Sequence, residues 1–192
     1  MKLNRASLWS LEEYAERRDD FRHEVMAYKK NRRIALGEHA TLLFEDEKTI
    51  KYQIQEMLRA EKIFDSAGIN EELDAYNPLI PDGENWKATM LIEYPDEVER
   101  ATALGRMPGV EHKVWAKIGD NEPVYAIANE DLERSTDEKT AAVHFLRFEL
   151  GTGNCAALKA GAQLSLGVES EVLPYSVVVD KTSVASLVAD LD

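Results

Sequence analysis

The chain has 192 residues, 44% apolar and 31% charged, with a formal net charge of -13. That mixture fits a single soluble domain over residues 1–192 and excludes a globally disordered chain. The charge argues against a nucleic-acid binder, which needs a basic face for phosphate, and against docking to an anionic membrane surface. A single cysteine, Cys155, rules out an internal disulfide framework. Residues 1–7 lack the apolar core of a signal peptide, and no run approaches the roughly 18 apolar residues that span a bilayer. A cytoplasmic protein is expected.

The N-terminal half, about residues 1–85, reads as helical. Ser10 and Glu13 have capping-box spacing, and Leu11, Tyr14, Phe21, Val25 and Tyr28 follow at helical intervals. Arg18 interrupts that stripe and marks a wet or paired stretch. Lys29, Lys30, Arg32 and Arg33 close the helix and suit the negative end of its dipole. Residues 33–36 and 41–44 then flank Gly37-Glu38-His39-Ala40 as a β-hairpin. Asp46 can cap a second helix over about residues 47–64, with Ile50, Ile54, Met57, Leu58 and Glu61 on one face. After the breaker Asp65-Ser66-Ala67-Gly68, a short helix runs through Glu71 and Leu73. It leads into Glu72-Leu73-Asp74-Ala75-Tyr76-Asn77-Pro78-Leu79-Ile80-Pro81-Asp82-Gly83. Two acids, a phenol and an amide lie here beside prolines that hold the backbone extended, so this loop is the best place to look for a built site.

The strand-rich half, about residues 86–180, starts with a strand at 87–94 and a helix from Asp96 to about Arg106. Residues 110–118 and 123–128 flank Gly119-Asp120-Asn121-Glu122 as a second hairpin. Residues 131–139 are polar and read as a loop or short helix. A strand at 143–150, a short helix capped by Asn154 and ended by Gly161, strands at 162–168 and 175–179, and a short C-terminal helix complete the chain. Strands joined as hairpins imply an α+β fold with a mostly antiparallel sheet and helices packed on one face. The exposed strand at 175–179 would pair within the chain or across a homodimer.

None of His23, His39, His112 and His144 stands in metal-motif spacing. Alternation puts His144 on the face of Leu146 and Phe148, which reads first as a half-buried, hydrogen-bonded side chain and second as a ligand or general base. The opposite face carries Arg147, which would meet Glu93 or Glu149 in a salt bridge that fixes register, or hold a carboxylate or phosphate through its planar fork. Glu61, Glu93, Asp74 and His144 would together make an oxygen-rich metal site, although Glu61 sits where its helix frays and reads more plainly as turned outward. The ligand-binding candidates are Asp74, Tyr76, Asn77, Glu93, His144 and Arg147; the metal candidates are Glu61, Glu93 and His144. Cys155 falls near an expected helix start, where a thiol is acidified, but Cys155-Ala156-Ala157 reads as ordinary packing. Gly151-Thr152-Gly153-Asn154 lacks the lysine of a phosphate-binding loop, and no Gly-x-Ser-x-Gly elbow exists, so no nucleotide motif is present and the cofactor is unknown.

Several blocks in combination resemble the bacterial DUF3501 family: Ser7-Leu8-Trp9-Ser10-Leu11-Glu12-Glu13-Tyr14, Lys29-Lys30-Asn31-Arg32-Arg33, Leu42-Leu43-Phe44-Glu45-Asp46, Gln53-Ile54-Gln55-Glu56-Met57-Leu58-Arg59, Glu71 through Pro81, and Thr140 through Leu150. The similarity reaches about residue 168 and is less clear from Glu169. The family has no assigned activity. The resemblance implies genes that neighbour rubrerythrin and an iron-sulfur oxidoreductase, hence an accessory or binding protein in a redox or peroxide-stress system with those two as partners. One cysteine is too few for an iron-sulfur cluster, and the di-iron Glu-x-x-His motif is missing. The alternative is an enzyme or a metal- or ligand-binding protein whose pocket combines carboxylates, His144 and Arg147.

Overall fold

The computed structural model describes residues 2–128, 130, 134–136 and 138–192. Local signals in the first half set the element starts. Ser10 Oγ accepts from the Glu13 amide and the Glu13 carboxylate accepts from the Ser10 amide, both at 3.1 Å, opening α1 (Leu11–Lys29). The hairpin strands β1 (Arg33–Leu36) and β2 (Ala40–Glu45) follow, with Leu36 opposite Ala40. Gly37 makes that turn possible. Its φ is +73°, and a Cβ there would lie 2.4 Å from the Tyr175 ring, so any other residue meets both backbone strain and a clash. Asp46 caps α2 (Glu47–Glu61), and Asp65 caps α3 (Ser66–Tyr76) by accepting from the Ala67 and Gly68 amides, both at 3.0 Å.

The second half forms β3 (Asn85–Ile92), α4 (Glu97–Gly105), β4 (Val114–Ile118), β5 (Val124–Tyr125), β6 (Ile127–Ala128), β7 (Val143–Glu149), α5 (Gly151–Lys159), β8 (Leu164–Val168), β9 (Ser176–Val178) and α6 (Lys181–Val188). The α+β class with antiparallel strands holds, but the strands divide between two sheets, ordered β1-β2-β3-β7-β6 and β5-β4-β8-β9. The expected second hairpin is therefore only half present. Residues 110–113 form a 3-10 turn, β5 pairs with β4, and β6 crosses to pair with β7. The crossing falls at Ala126, which is buried and donates its amide to the Val114 carbonyl at 2.8 Å; a small residue lets the chain pass over the core the two sheets share. The expected polar loop at 131–139 lies partly outside the described residues.

The shared core takes Trp86, Met90, Leu146 and Phe148 from the first sheet, Val114, Ala116, Leu164 and Leu166 from the second, and Leu158 and Leu187 from α5 and α6. A smaller cluster of Leu3, Ile50, Ile54, Leu58, Leu73 and Ile80 joins α2, α3 and the N-terminal segment. Between α1 and α2, Arg18 is paired: its guanidinium donates to both Glu56 oxygens at 2.7 and 2.8 Å, and Tyr14 Oη donates to the same carboxylate at 2.7 Å. The Arg18 hydrogen bonds hold the Glu56 carboxyl down at about 2, against the opposing effect of burial.

One buried guanidinium ties the C-terminal segment to the hairpin. Arg32 is 1% exposed and donates to the carbonyls of Phe44 (3.0 Å), Glu45 (3.2 Å) and Ser186 (3.1 Å) and to both oxygens of Asp190. Burial opposes its charge, but bonding and attraction from Asp190 and Asp46 outweigh that and raise its pKa above the ordinary arginine value. Trp86 Nε1, also buried, donates to the Leu187 carbonyl at 3.0 Å, a second anchor for α6.

Candidate functional site: a cleft between α3 and the first sheet

Alternation along β3 and β7 decides which side chains leave the core. Trp86, Ala88, Met90 and Ile92 point inward, as do His144, Leu146 and Phe148; Lys87, Thr89 and Leu91, and Phe145 and Arg147, occupy the other face. The register sets Lys87 opposite Arg147 and Thr89 opposite Phe145. Over this face lies a cleft of about 700 Å³, within the usual size of small-molecule sites. Its helical wall is Glu72, Asp74, Ala75 and Tyr76 of α3 with Pro78 and Leu79 of the 3-10 turn that follows; Met57 of α2 closes one side.

The charges in the cleft are unevenly partnered. Arg147 grips Glu130 with two parallel bonds, Nε–Oε2 at 2.9 Å and Nη2–Oε1 at 2.8 Å, and its Nη1 donates to Glu149. Glu130 first and then Glu149 hold its pKa above the ordinary value. Phe145 carries the Arg134 guanidinium 4.6 Å from its ring centroid. The Lys87 ammonium makes no hydrogen bond and no ion pair among the described residues, because the neighbouring acids are engaged elsewhere. Glu45, its cross-strand partner on β2, accepts from Thr89 Oγ1 at 3.1 Å, and Glu130 is held by Arg147. Burial lowers the Lys87 pKa; attraction from Glu130 opposes this and Arg147 adds to it. On the opposite wall, Glu72 Oε2 is buried without a hydrogen-bond partner among the described residues. Burial first, then Glu61 and Glu71, raise its pKa, so this carboxyl keeps its proton to a higher pH than an ordinary glutamate.

Of the residues expected to form a site, Asp74, Tyr76 and Arg147 do line this cleft. The others are elsewhere. Asn77 is spent on the N-terminal segment: its Oδ1 accepts from the Leu3 amide at 2.8 Å and its Nδ2 donates to the Leu3 carbonyl at 3.0 Å. Glu93 lies beyond the end of β3 and faces Arg33 at 3.5 Å, both side chains 57% exposed, so the expected Glu93–Arg147 pair does not form while the Glu149–Arg147 pair does. Glu61 is exposed at the end of α2. Glu61, Glu93 and His144 do not converge, and no group of three or more metal-binding side chains occurs among the described residues.

His144 lies on the core face, as its alternation with Leu146 and Phe148 implied, but it is fully buried where half-burial was expected. Its Nε2 lies 3.0 Å from the Ala141 carbonyl, which can only accept, so Nε2 carries the proton; Thr140 Oγ1 is 2.8 Å from the same nitrogen. Nδ1 has no partner among the described residues, and burial lowers the pKa, favouring the neutral ring against the pull of Glu111. Cys155 is also buried. The helix expected to start at Asn154 starts at Gly151 instead, because Asn154 Nδ2 turns back to the Leu150 carbonyl at 2.9 Å. This places Cys155 inside α5, where burial pushes its thiol up.

Lys87 and Glu130 are not singled out by sequence; Glu72 opens the Pro-loop stretch and Met57 lies on the apolar face of α2, but neither is among the expected site residues. Period-2 alternation would have placed Lys87 on the Arg147 face, and the run Glu71-Glu72 near Glu61 hints at an unneutralised carboxylate. Fold and site together define an α+β protein of two antiparallel sheets with a ligand-sized cleft bearing a lysine side chain that is unpaired among the described residues and a glutamate whose pKa is raised by burial. The chain matches, over residues 2–191, the family described as a protein of unknown function (DUF3501), and it belongs to that family. The match continues past residue 168 through α6, whose anchors at Trp86 and Arg32 make the C-terminal segment part of the fold. The chain is similar, at 55% identity and a TM-score of 0.95 over 100% of both chains, to a novel protein of unknown function from Burkholderia pseudomallei K96243 known from its crystal structure. No curated protein matches it. No helix among the described residues is long and apolar enough to cross a membrane.

Proposed function

We propose that this protein binds a small organic anion with a flat apolar body in the cleft between α3 and the first sheet. The observation that carries the reading is a pair of polar groups without partners among the described residues, the Lys87 ammonium and Glu72 Oε2, in one cleft with Phe145, Met57, Pro78 and Leu79. A desolvated polar group without a partner is destabilising, and a ligand that supplies an acceptor to Lys87 removes that cost. The simplest probe is benzoate, one ring and one carboxylate. Calorimetric titration is expected to give saturable binding at about millimolar Kd or tighter, weakened about tenfold by Lys87→Ala. Absence of saturation, or equal affinity in Lys87→Ala, would end this reading.

The narrower role implied by the family resemblance is a separate proposal: a cytoplasmic accessory protein beside rubrerythrin and an iron-sulfur oxidoreductase. Its support is that resemblance, since the family and the solved relative both carry descriptions of unknown function. Titration against each partner decides it, and lack of binding to both removes it. Pairing of two copies along the β9 edge, where Val178 is 58% exposed, is read by sedimentation with Val178→Lys as the disrupting variant.

A further inference from the structure

We propose that Lys87 is a nucleophilic amine that forms an imine with an aldehyde or ketone held in the α3 cleft, with Glu72 donating the proton that releases water. This rests on the reading of the cleft as a ligand site and adds the chemistry performed there. Three arrangements support it. Lys87 is half-buried on the cleft face, and Glu45 and Glu130, the acids nearest it in register and charge, bond to Thr89 and Arg147 instead. A second cation, Arg147, stands directly across the strand pair. The Glu72 carboxyl lines the opposite wall with one oxygen buried and unpartnered among the described residues. A lysine becomes nucleophilic near neutrality when it is desolvated, and burial sets Lys87 in that condition; Arg147 adds to it, while Glu130 pulls the other way. The directions of the Lys87 and Glu72 pKa shifts agree with these roles.

The step balances without any further reactant. The Lys87 nitrogen attacks the carbonyl carbon; an N–C bond forms, the C=O π bond opens, and a proton passes from nitrogen to oxygen to give a neutral carbinolamine. Glu72 then protonates the hydroxyl, the C–O bond breaks, and water leaves. The products are an iminium on Lys87 and a carboxylate on Glu72, so net charge is conserved. Phe145 and Leu79 would cover the ring or chain attached to the carbonyl.

The test uses the full chain with 4-formylbenzoate and sodium cyanoborohydride, which reduces an imine to a stable secondary amine, with the modified residue located by peptide mass mapping. At about pH 7, Lys87 is expected to label at least about tenfold faster than any other lysine, and excess benzoate should slow it. Lys87→Arg is expected to abolish that fast phase and leave the slow labelling of surface lysines as an internal standard. Glu72→Gln is expected to slow the Lys87 reaction about a hundredfold even when 4-formylbenzoate saturates the cleft, a loss in the rate at saturation that weaker binding alone would not produce. Labelling spread evenly over the lysines would overturn the proposal. Benzoate binding without preferential labelling would overturn the imine and leave the anion site standing; Lys87 labelling without benzoate binding would do the reverse. Unchanged labelling in Glu72→Gln would remove Glu72 from the step.

Discussion

Replacing Arg32 by Met keeps most of the side-chain volume and removes the charge. The guanidinium's five bonds to Phe44, Glu45, Ser186 and Asp190 are lost together, and the Asp190 carboxylate, 8% exposed, is left without its cation. Breaking a buried pair on one side costs about 3–5 kcal/mol, because the surviving charge remains desolvated. For a chain of this size each kcal/mol shifts Tm by about 2–4 °C, so Arg32→Met should melt about 6–20 °C below the parent. The assay is urea unfolding followed by intrinsic fluorescence of Trp9, Trp86 and Trp115, with calorimetry for Tm. Adding Asp190→Leu to Arg32→Met removes the stranded carboxylate and should recover much of the loss, giving a coupling energy of about 2–3 kcal/mol. A loss under about 1 kcal/mol in the single variant, or additive losses in the double, would refute the claim that this pair holds α6 to the hairpin.

Three further outcomes are expected. The folded Glu56 carboxyl sits near about 2 against an ordinary 4.5, so its contribution is present above the ordinary value and is lost as pH falls through that window; the stability advantage of the parent over Glu56→Gln should shrink in acid-range urea titrations. Glu72 has the opposite sign. Its folded pKa is raised, so stability is lost as pH rises out of the ordinary carboxylate range, and Glu72→Gln should match the parent in acid and exceed it at neutral pH in thermal melts. Gly37→Ala places a Cβ at φ +73° and 2.4 Å from Tyr175, and urea unfolding should show a loss of about 1–3 kcal/mol.

The parts of the fold legible in sequence are those decided within a few residues. Ser10, Asp46 and Asp65 announce their helices because a cap is a contact across two or three positions. Alternation placed His144 with Leu146 and Phe148 and put Arg147 on the other face for the same reason. The division into two sheets was not legible, since residues 124–128 pair with β4 and then β7 according to how the whole chain closes. The site shows the same boundary. Asp74, Tyr76 and Arg147 stand out by type and neighbourhood, whereas the importance of Lys87 lies in what Glu45 and Glu130 do instead of pairing with it. Glu93 and His144 look like partners along the chain, but the strand ends before Glu93 and the sheet sends His144 to its other side.

Arg32 and Asp190 are 158 positions apart, so their clamp closes one of the longest loops the chain contains. Contacts of such separation are slow to form and tend to be made after the folding barrier has been crossed. An interaction absent at the barrier leaves the folding rate alone and instead lengthens the time before a native molecule opens. The clamp therefore acts as a timer on the native state. Stopped-flow unfolding of Arg32→Met should be faster than that of the parent while refolding is unchanged, and slowed refolding would place the clamp in the nucleus instead.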